Sequence, residues 1–185
     1  MKIGLLVFVL TLPLGFAQMN HSMDSTVMEN DLADLNGEAF EIAFMSGMIA
    51  HHEAAVGMAQ WILDRTELPG VAASAQQIKA AQEPEITLMQ SWLDDWYGGK
   101  TDAAAAAMMQ GDMDAMTASL DTYDNADTAF LTEMSLHHNG AIDMAQLALT
   151  KAVHPKLREL AKDIIRNQAQ EIADYQEVLA ELASR

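Results

Sequence analysis

Apolar residues recur along most of the chain after residue 36 at the spacing of one face of an α-helix. No segment shows the strict alternation of apolar and polar residues that marks a half-buried strand. The pattern therefore predicts a helical protein. The predicted helices run from about Asn36 to Thr66, from about Gly70 to Tyr97, from about Asn125 to Ala152, and from Pro155 nearly to the end of the chain.

The segments outside these helices are expected to differ in character. Residues 98–124 are predicted to form a long crossover between the second and third helices. An alanine-rich stretch at 102–110 should form a helical turn or two there, and Gly111 should break it because glycine is a poor helix former. Residues 18–35 are polar and are predicted to form a flexible tail.

An internal repeat with a constant offset of 86 residues organises the chain. Residues 41–93 align with residues 127–179 without a gap, so that Pro69 matches Pro155 and Glu85 matches Glu171. A single helical hairpin cannot bury its apolar face alone, whereas two hairpins can cover each other. The sequence therefore predicts an all-α fold, a four-helix bundle in which repeat one at 37–97 and repeat two at 125–184 are joined by the long crossover.

The amino terminus has the pattern of a secretory signal peptide. Lys2 precedes an apolar run from Ile3 to Leu12, and a small-residue cleavage pattern ends at Ala17. The apolar run is too short to span a bilayer comfortably. We expect residues 1–17 to be cleaved and the protein to be exported to the periplasm or the extracellular space, with no membrane attachment afterwards. A retained membrane anchor is the alternative.

The net charge and the lack of cysteine exclude several kinds of binding partner and of metal site. The formal net charge is −17 and the chain has no cysteine. An acidic protein is a poor partner for nucleic acid or for an anionic membrane surface. Without cysteine, disulfides and thiolate metal sites are excluded. In an oxidising compartment, methionine then remains as a sulfur ligand that cannot form a disulfide.

Four of the six histidines lie in two His-His pairs at matched positions of the repeat, and methionines flank each pair at helical spacing. On a helix these residues fall within the apolar face, so the histidines should be buried. Imidazole and thioether groups together are soft ligands that suit Cu(I) better than hard ions. The predicted metal ligands are Met48, His51, His52 and Met58 in the first repeat, and Met134, His137, His138 and Met144 in the second.

Further residues are candidates for a secondary role in metal binding. Glu85 and Glu171 are matched by the repeat, and a buried carboxylate at either position would need a histidine or a metal as its partner. Met19, His21 and Met23 form a cluster in the tail that can bind Cu(I) weakly, although a tail without this role is equally consistent with the sequence. By contrast, His154 precedes Pro155 and is predicted to begin a helix.

The two histidine motifs resemble the domain-of-unknown-function family numbered 305. The resemblance rests on the segment from Phe44 to Ala59 and on its copy from Asp127 to Ala145, and it covers about residues 40–180. That family contains exported, ferritin-like helical bundles and includes periplasmic copper-binding proteins. The resemblance therefore implies a ferritin-like bundle, copper binding and copper resistance. It points to Met48, His51, His52, Met134, His137 and His138 as ligands, and less directly to Met58 and Met144.

The leading hypothesis is a binding protein, not an enzyme, that sequesters Cu(I) or passes it to other copper-handling proteins. A ferritin-like dinuclear iron or manganese oxidase is the first alternative. Such an enzyme needs Glu-x-x-His motifs on two helices, whereas this chain has Met-x-x-His. A structural or partner-binding helical bundle is the second alternative. The sequence leaves the oligomeric state open.

Overall fold

The structure is a computed structural model that describes residues 31–184. The predicted signal peptide and the cluster of Met19, His21 and Met23 lie outside the described residues. Within residues 31–184 the chain is helical and contains no strand, and none of the helices is long and apolar enough to cross a bilayer. The main helices are α1 (Gly37–Leu63), α2 (Pro69–Tyr97), α3 (Ala103–Ser119), α4 (Ala126–Lys151) and α5 (Pro155–Ala183), and a short 3-10 helix (Leu120–Thr122) follows α3.

The helices follow the sequence repeat. Both α2 and α5 span 29 residues, and each begins at a proline, Pro69 or Pro155. Proline suits the first helical turn because the backbone N–H that it lacks would have no partner within the helix there. Helix α1 packs against α2, and α4 packs against α5, so each repeat forms a helical hairpin. Helices α1 and α4 also pack against each other and join the two hairpins. The predicted all-α fold is confirmed, and the arrangement is consistent with a four-helix bundle.

The crossover contains a longer helix than the sequence pattern predicted. Helix α3 continues through Gly111 to Ser119, so the expected break at Gly111 is wrong. A glycine inside a helix costs about 1 kcal/mol relative to alanine. Met109, Met113 and Met116 lie on one face of α3 and are buried, and their packing offsets that cost. The buried face packs against α1, so the crossover covers one side of the bundle.

The last residues of the predicted tail belong to the folded part. Residues 31–34 are helical, and the side chain of Leu32 is buried in the core. The ammonium group of Lys151 donates hydrogen bonds to the carbonyl oxygens of Ala33 and Leu35 at 2.6 and 2.9 Å. Residues 31–35 are therefore held against the end of α4, in contrast to the flexible segment predicted for 18–35.

Two apolar clusters fill the bundle. The first cluster combines the start of α1 with the end of α4 and contains Met48 and Met144. The second combines the end of α1 with the start of α4 and contains Met58 and Met134. Helices α1 and α4 therefore run antiparallel, and the His-His pairs lie between the two clusters, near the middle of the bundle.

Candidate metal centre

The four paired histidines lie in the buried interior, where α1 meets α4. The exposed fraction is 1% for His51 and 0% for His52, His137 and His138. The ring centroids of His51 and His137 are 3.7 Å apart, and each ring lies about 6 Å from the other histidine of its own pair. The prediction that both pairs face the core is confirmed. The four rings form one group, which we call the histidine layer.

The contact between His137 and the backbone of α1 fixes the protonation of one ring. The Nε2 atom of His137 lies 3.0 Å from the carbonyl oxygen of His51. A carbonyl oxygen can only accept, so Nε2 carries the proton and the Nδ1 atom of His137 carries a lone pair. That Nδ1 atom is buried and has no hydrogen-bond partner. It is therefore free to bind a metal ion.

Glutamates face the Nε2 atoms of two further histidines. The Nε2 atom of His52 lies 2.7 Å from the Oε2 atom of Glu85. The Nε2 atom of His138 is also 2.7 Å from Glu171 Oε2, at ion-pair distance but without the alignment of a hydrogen bond. In both rings the Nδ1 atom is buried and unpaired. Histidines that bind metals commonly donate their other ring N–H to a carboxylate or a carbonyl oxygen, so this arrangement is typical of metal sites.

His51 has no hydrogen-bond partner at either ring nitrogen. Burial lowers the pKa of His51 well below its ordinary value, and the neighbouring His137 and His52 lower it further. Burial also lowers the pKa of His137 well below its ordinary value, and the nearby His138 adds to the effect. Both rings are therefore neutral near pH 7. The neutral imidazole is the form that binds metal ions.

The predicted methionine ligands lie on both sides of the histidine layer. Met48 and Met144 belong to the first apolar cluster, and Met58 and Met134 belong to the second. All four side chains are buried. The four thioether groups therefore lie in the two apolar clusters, on either side of the histidine layer along the helices.

The residues present fit a soft ion. Across residues 31–184, no group of three or more His, Asp or Glu side chains is placed so that it could hold a metal ion by itself, so an ion in the histidine layer would need thioether ligands as well. The two carboxylates of the layer are separate, since Glu85 contacts His52 and Glu171 contacts His138. The softer donors in this region are unpaired imidazole nitrogens and thioether sulfurs. This set suits Cu(I), whereas a dinuclear iron centre needs several carboxylates that face one another.

Three buried polar side chains of α2 and α5 were given no role on sequence grounds. Gln82 and Gln168 are buried, and the Oε1 atom of each has no hydrogen-bond partner. Tyr175 is 2% exposed, its hydroxyl group is unpaired, and its ring centroid lies 5.8 Å from that of His138. The repeat matches Gln82 with Gln168 and places each one turn before a glutamate of the layer, but it does not indicate what either side chain does.

His154 lies outside the histidine layer and precedes α5, so its predicted place at a helix start is confirmed. Its backbone N–H donates to Glu41 Oε1 at 2.8 Å, and its Nδ1 atom lies 2.6 Å from Glu41 Oε2. The hydroxyl group of Tyr97 also donates to the Glu41 carboxylate. Burial raises the pKa of Glu41, but the hydrogen bonds from Tyr97 and His154 outweigh it and leave the pKa below its ordinary value.

Comparison with solved structures finds close matches along most of the chain. CopM in the Cu(I)-bound form has a TM-score of 0.66 and 29% identity, covering 77% of this chain and 96% of that chain. A DUF305 protein from Streptomyces coelicolor that is inferred to be secreted has a TM-score of 0.67 and 28% identity, covering 76% and 92%. A DUF305 fragment from Deinococcus radiodurans has a TM-score of 0.64 and 29% identity, covering 76% and 95%.

Sequence comparison agrees with the structural matches. The uncharacterized protein L153 of Acanthamoeba polyphaga mimivirus is 40% identical over 52 residues, which are 28% of this chain and 34% of that protein. The chain thus spans about a third of the length of this curated relative. The family model described as "Domain of unknown function (DUF305)" matches residues 15–93 and 41–179. These matches cover both copies of the repeat, and the chain belongs to the DUF305 family.

Proposed function

We propose that this protein binds Cu(I) in the histidine layer, through imidazole Nδ1 atoms and methionine thioethers. One observation carries the proposal. His51, His52, His137 and His138 are fully buried and each has an unpaired Nδ1 atom, although buried polar atoms normally have partners. A bound ion would supply the missing partner.

The orientation of the rings supports the same proposal. In three of the four rings an oxygen atom faces Nε2, supplied by the His51 carbonyl group, Glu85 or Glu171. The hydrogen bonds to His137 and His52 direct the lone pair of these two rings to Nδ1 before an ion arrives. Glu171 lies at ion-pair distance from His138 Nε2. Preorganised ligands of this kind bind metals more tightly than mobile ones. Glu85 and Glu171 therefore act as positioning residues in this proposal rather than as ligands.

The similarity to CopM supports copper as the ion. CopM structures with Cu(I), Cu(II) and Ag bound are all similar to this chain, at 29% identity over 76 to 77% of its length. Ag(I) is a soft monovalent ion like Cu(I), and the buried imidazole and thioether donors match that preference. For this chain we propose binding and release of Cu(I) without a chemical reaction.

The proposed place of action is outside the cytoplasm. Residues 1–17 have the pattern of a secretory signal peptide. There the protein would sequester Cu(I), or pass it to other copper-handling proteins, and so contribute to copper resistance. The cluster of Met19, His21 and Met23 would then precede the bundle as a weak secondary site.

The test is an anaerobic competition titration of the metal-free protein with Cu(I) and a coloured chelator. Replacing a histidine by leucine removes both nitrogens while keeping a similar side-chain volume. We expect the double variants His51→Leu/His137→Leu and His52→Leu/His138→Leu to lose at least about tenfold in Cu(I) affinity, since even an indirect metal partner contributes that much. Circular dichroism should show that both variants remain helical.

His154 offers a matched control, because it is a histidine of the same fold that lies outside the layer. His154→Ala should keep the wild-type affinity for Cu(I). Wild-type affinity in both double leucine variants would refute the proposal. An equal loss of affinity in His154→Ala would also refute it, because the effect would then not belong to the histidine layer.

A further inference from the structure

The two hairpins differ at a matched position beside the histidine layer. Glu85 and Glu171 contact His52 and His138 at the same distance, 2.7 Å. One helical turn after each glutamate the residues are no longer alike: α2 has Met89, and α5 has Tyr175. Residues four positions apart lie on the same face of a helix, so each of these side chains neighbours a Glu–His contact.

Tyr175 lies against the histidine of the second repeat. Its ring centroid is 5.8 Å from that of His138 and 6.4 Å from that of Phe130. Tyr175 also shares the second apolar cluster with Phe130 and Met134. We call His138, Glu171, Met134 and Tyr175 the second half-site.

Met89 occupies the equivalent place in the first repeat. It is fully buried and belongs to the first apolar cluster together with Phe44 and Met48. Phe44 and Met48 are the repeat partners of Phe130 and Met134, so Met89 shares a cluster with the α1 counterparts of the α4 residues that share a cluster with Tyr175. We call His52, Glu85, Met48 and Met89 the first half-site.

The two half-sites therefore offer different donors. The first has one imidazole and two thioethers, and the second has one imidazole, one thioether and one phenol. A thioether is a soft ligand, whereas a phenol oxygen is a hard one. We propose that the half-sites are unequal, and that Met89 makes the first half-site the tighter one for a soft monovalent ion. This inference rests on the proposed function, because it assumes that the histidine layer binds such ions.

The experiment is a titration of the purified protein with Ag(I), followed by NMR of ¹³C-labelled methionine methyl groups, since Ag(I) is diamagnetic. In the wild type, the signals of Met48 and Met89 should shift before that of Met134. Met89→Leu should weaken the tightest binding by at least about tenfold. Tyr175→Met should equalise the half-sites, so that the signals of Met48 and Met134 shift together.

Met113→Leu is the matched control, because Met113 is a buried methionine of the same apolar cluster that comes from the crossover helix α3. This variant should bind Ag(I) like the wild type. The inequality is refuted if Met134 shifts before or together with Met48 in the wild type. It is also refuted if Met89→Leu keeps full affinity, or if Met113→Leu loses as much.

These outcomes separate the inference from the proposed function. If no methionine signal of the layer shifts with Ag(I), both fail. If Ag(I) binds but Met48 and Met134 respond together, the half-sites are equal and only the inference fails. Should Met89→Leu lose its helical structure, the order of shifts in the wild type and the response of Tyr175→Met still decide the question.

Discussion

The imidazole of His137 donates its Nε2 proton to the backbone carbonyl oxygen of His51, its own partner in the repeat, 3.0 Å away. The two halves of the protein are therefore hydrogen-bonded to each other at equivalent positions. The contact also breaks the symmetry of the pair, because His51 makes no such bond in return and keeps both ring nitrogens unpaired. One ring thus has a fixed tautomer, and the other is left without a partner.

That relationship predicts the tautomer of His137. In the metal-free protein near neutral pH, its Nε2 atom should carry the proton and its Nδ1 atom should be bare, because the carbonyl oxygen accepts from Nε2. Nitrogen-15 NMR of the imidazole rings distinguishes the two tautomers. The His137→Leu variant assigns the signals. A protonated Nδ1 atom in His137 would contradict the structure.

The positioning role of the glutamates leads to a second prediction. Glu85→Ala removes the acceptor of the His52 ring N–H, and Glu171→Ala removes the carboxylate that faces His138 Nε2. In each variant Cu(I) affinity should fall by roughly 10- to 100-fold while the fold is retained. Competition titration measures the loss. Glu83→Ala is the control, because Glu83 is an exposed residue on the same helix as Glu85. If Glu83→Ala were as damaging as Glu85→Ala, overall charge rather than ring orientation would be responsible.

The helical hairpins could be predicted because a local signal, helical periodicity, was repeated in the sequence. The bounds expected for the second helix, Gly70 and Tyr97, nearly coincide with those of α2, since Pro69 and Gly98 mark its ends. The length of α3 was underestimated because glycine has a low helix propensity, and the helix was therefore expected to end at Gly111. The packing of Met109, Met113 and Met116 against α1 is a tertiary effect that the local sequence does not show.

Part of the site was also visible in the sequence. The burial of the four histidines followed from their place on the apolar face, and Glu85 was recognised as a candidate neighbour. The carbonyl oxygen that faces His137 could not be predicted, because it is a backbone atom brought close only by the crossing of α1 and α4. The contact of Glu41 with His154 spans 113 positions and has no local signal either.

Glu41 gives a third prediction, for the stability of the metal-free protein. Its pKa in the folded state lies below the ordinary value of 4.5, so the unfolded chain binds protons more readily. The stability that Glu41 contributes is thus fully present above pH 4.5 and is lost as the pH falls through its folded-state pKa. Glu41→Gln should lower the free energy of unfolding by about 1–3 kcal/mol at neutral pH. On acidification this variant should lose less stability than the wild type does.

Denaturant unfolding at a series of pH values measures both effects. Glu38→Gln is the control, since Glu38 is exposed and pairs with Lys100 at the surface, where such pairs contribute little. If Glu41→Gln lost stability on acidification as steeply as the wild type, the contacts of Glu41 with Tyr97 and His154 would not be the source of the effect.

Replacing either of two glycines by alanine gives a fourth prediction, in which one substitution stabilises the protein and the other destabilises it. Gly111 lies inside α3, and a Cβ atom added there would have no atom outside its own helical turn within 4 Å, so Gly111→Ala should stabilise the protein by about 0.5–1 kcal/mol. Gly98 caps α2 with a φ of +64°, so Gly98→Ala should destabilise it by about 1–2 kcal/mol. Chemical denaturation measures both changes. A loss of stability in Gly111→Ala would show that α3 is not a regular helix at that residue.

The most direct test of the proposed copper site is a crystal structure of the Cu(I)-loaded protein, with anomalous scattering recorded at the copper edge. We expect anomalous peaks in the histidine layer, bonded to Nδ1 atoms of the four histidines and to thioether sulfurs of the neighbouring methionines. Copper bound only at Met19, His21 and Met23, or anywhere else outside the layer, would contradict the proposal that these buried imidazoles hold the ion.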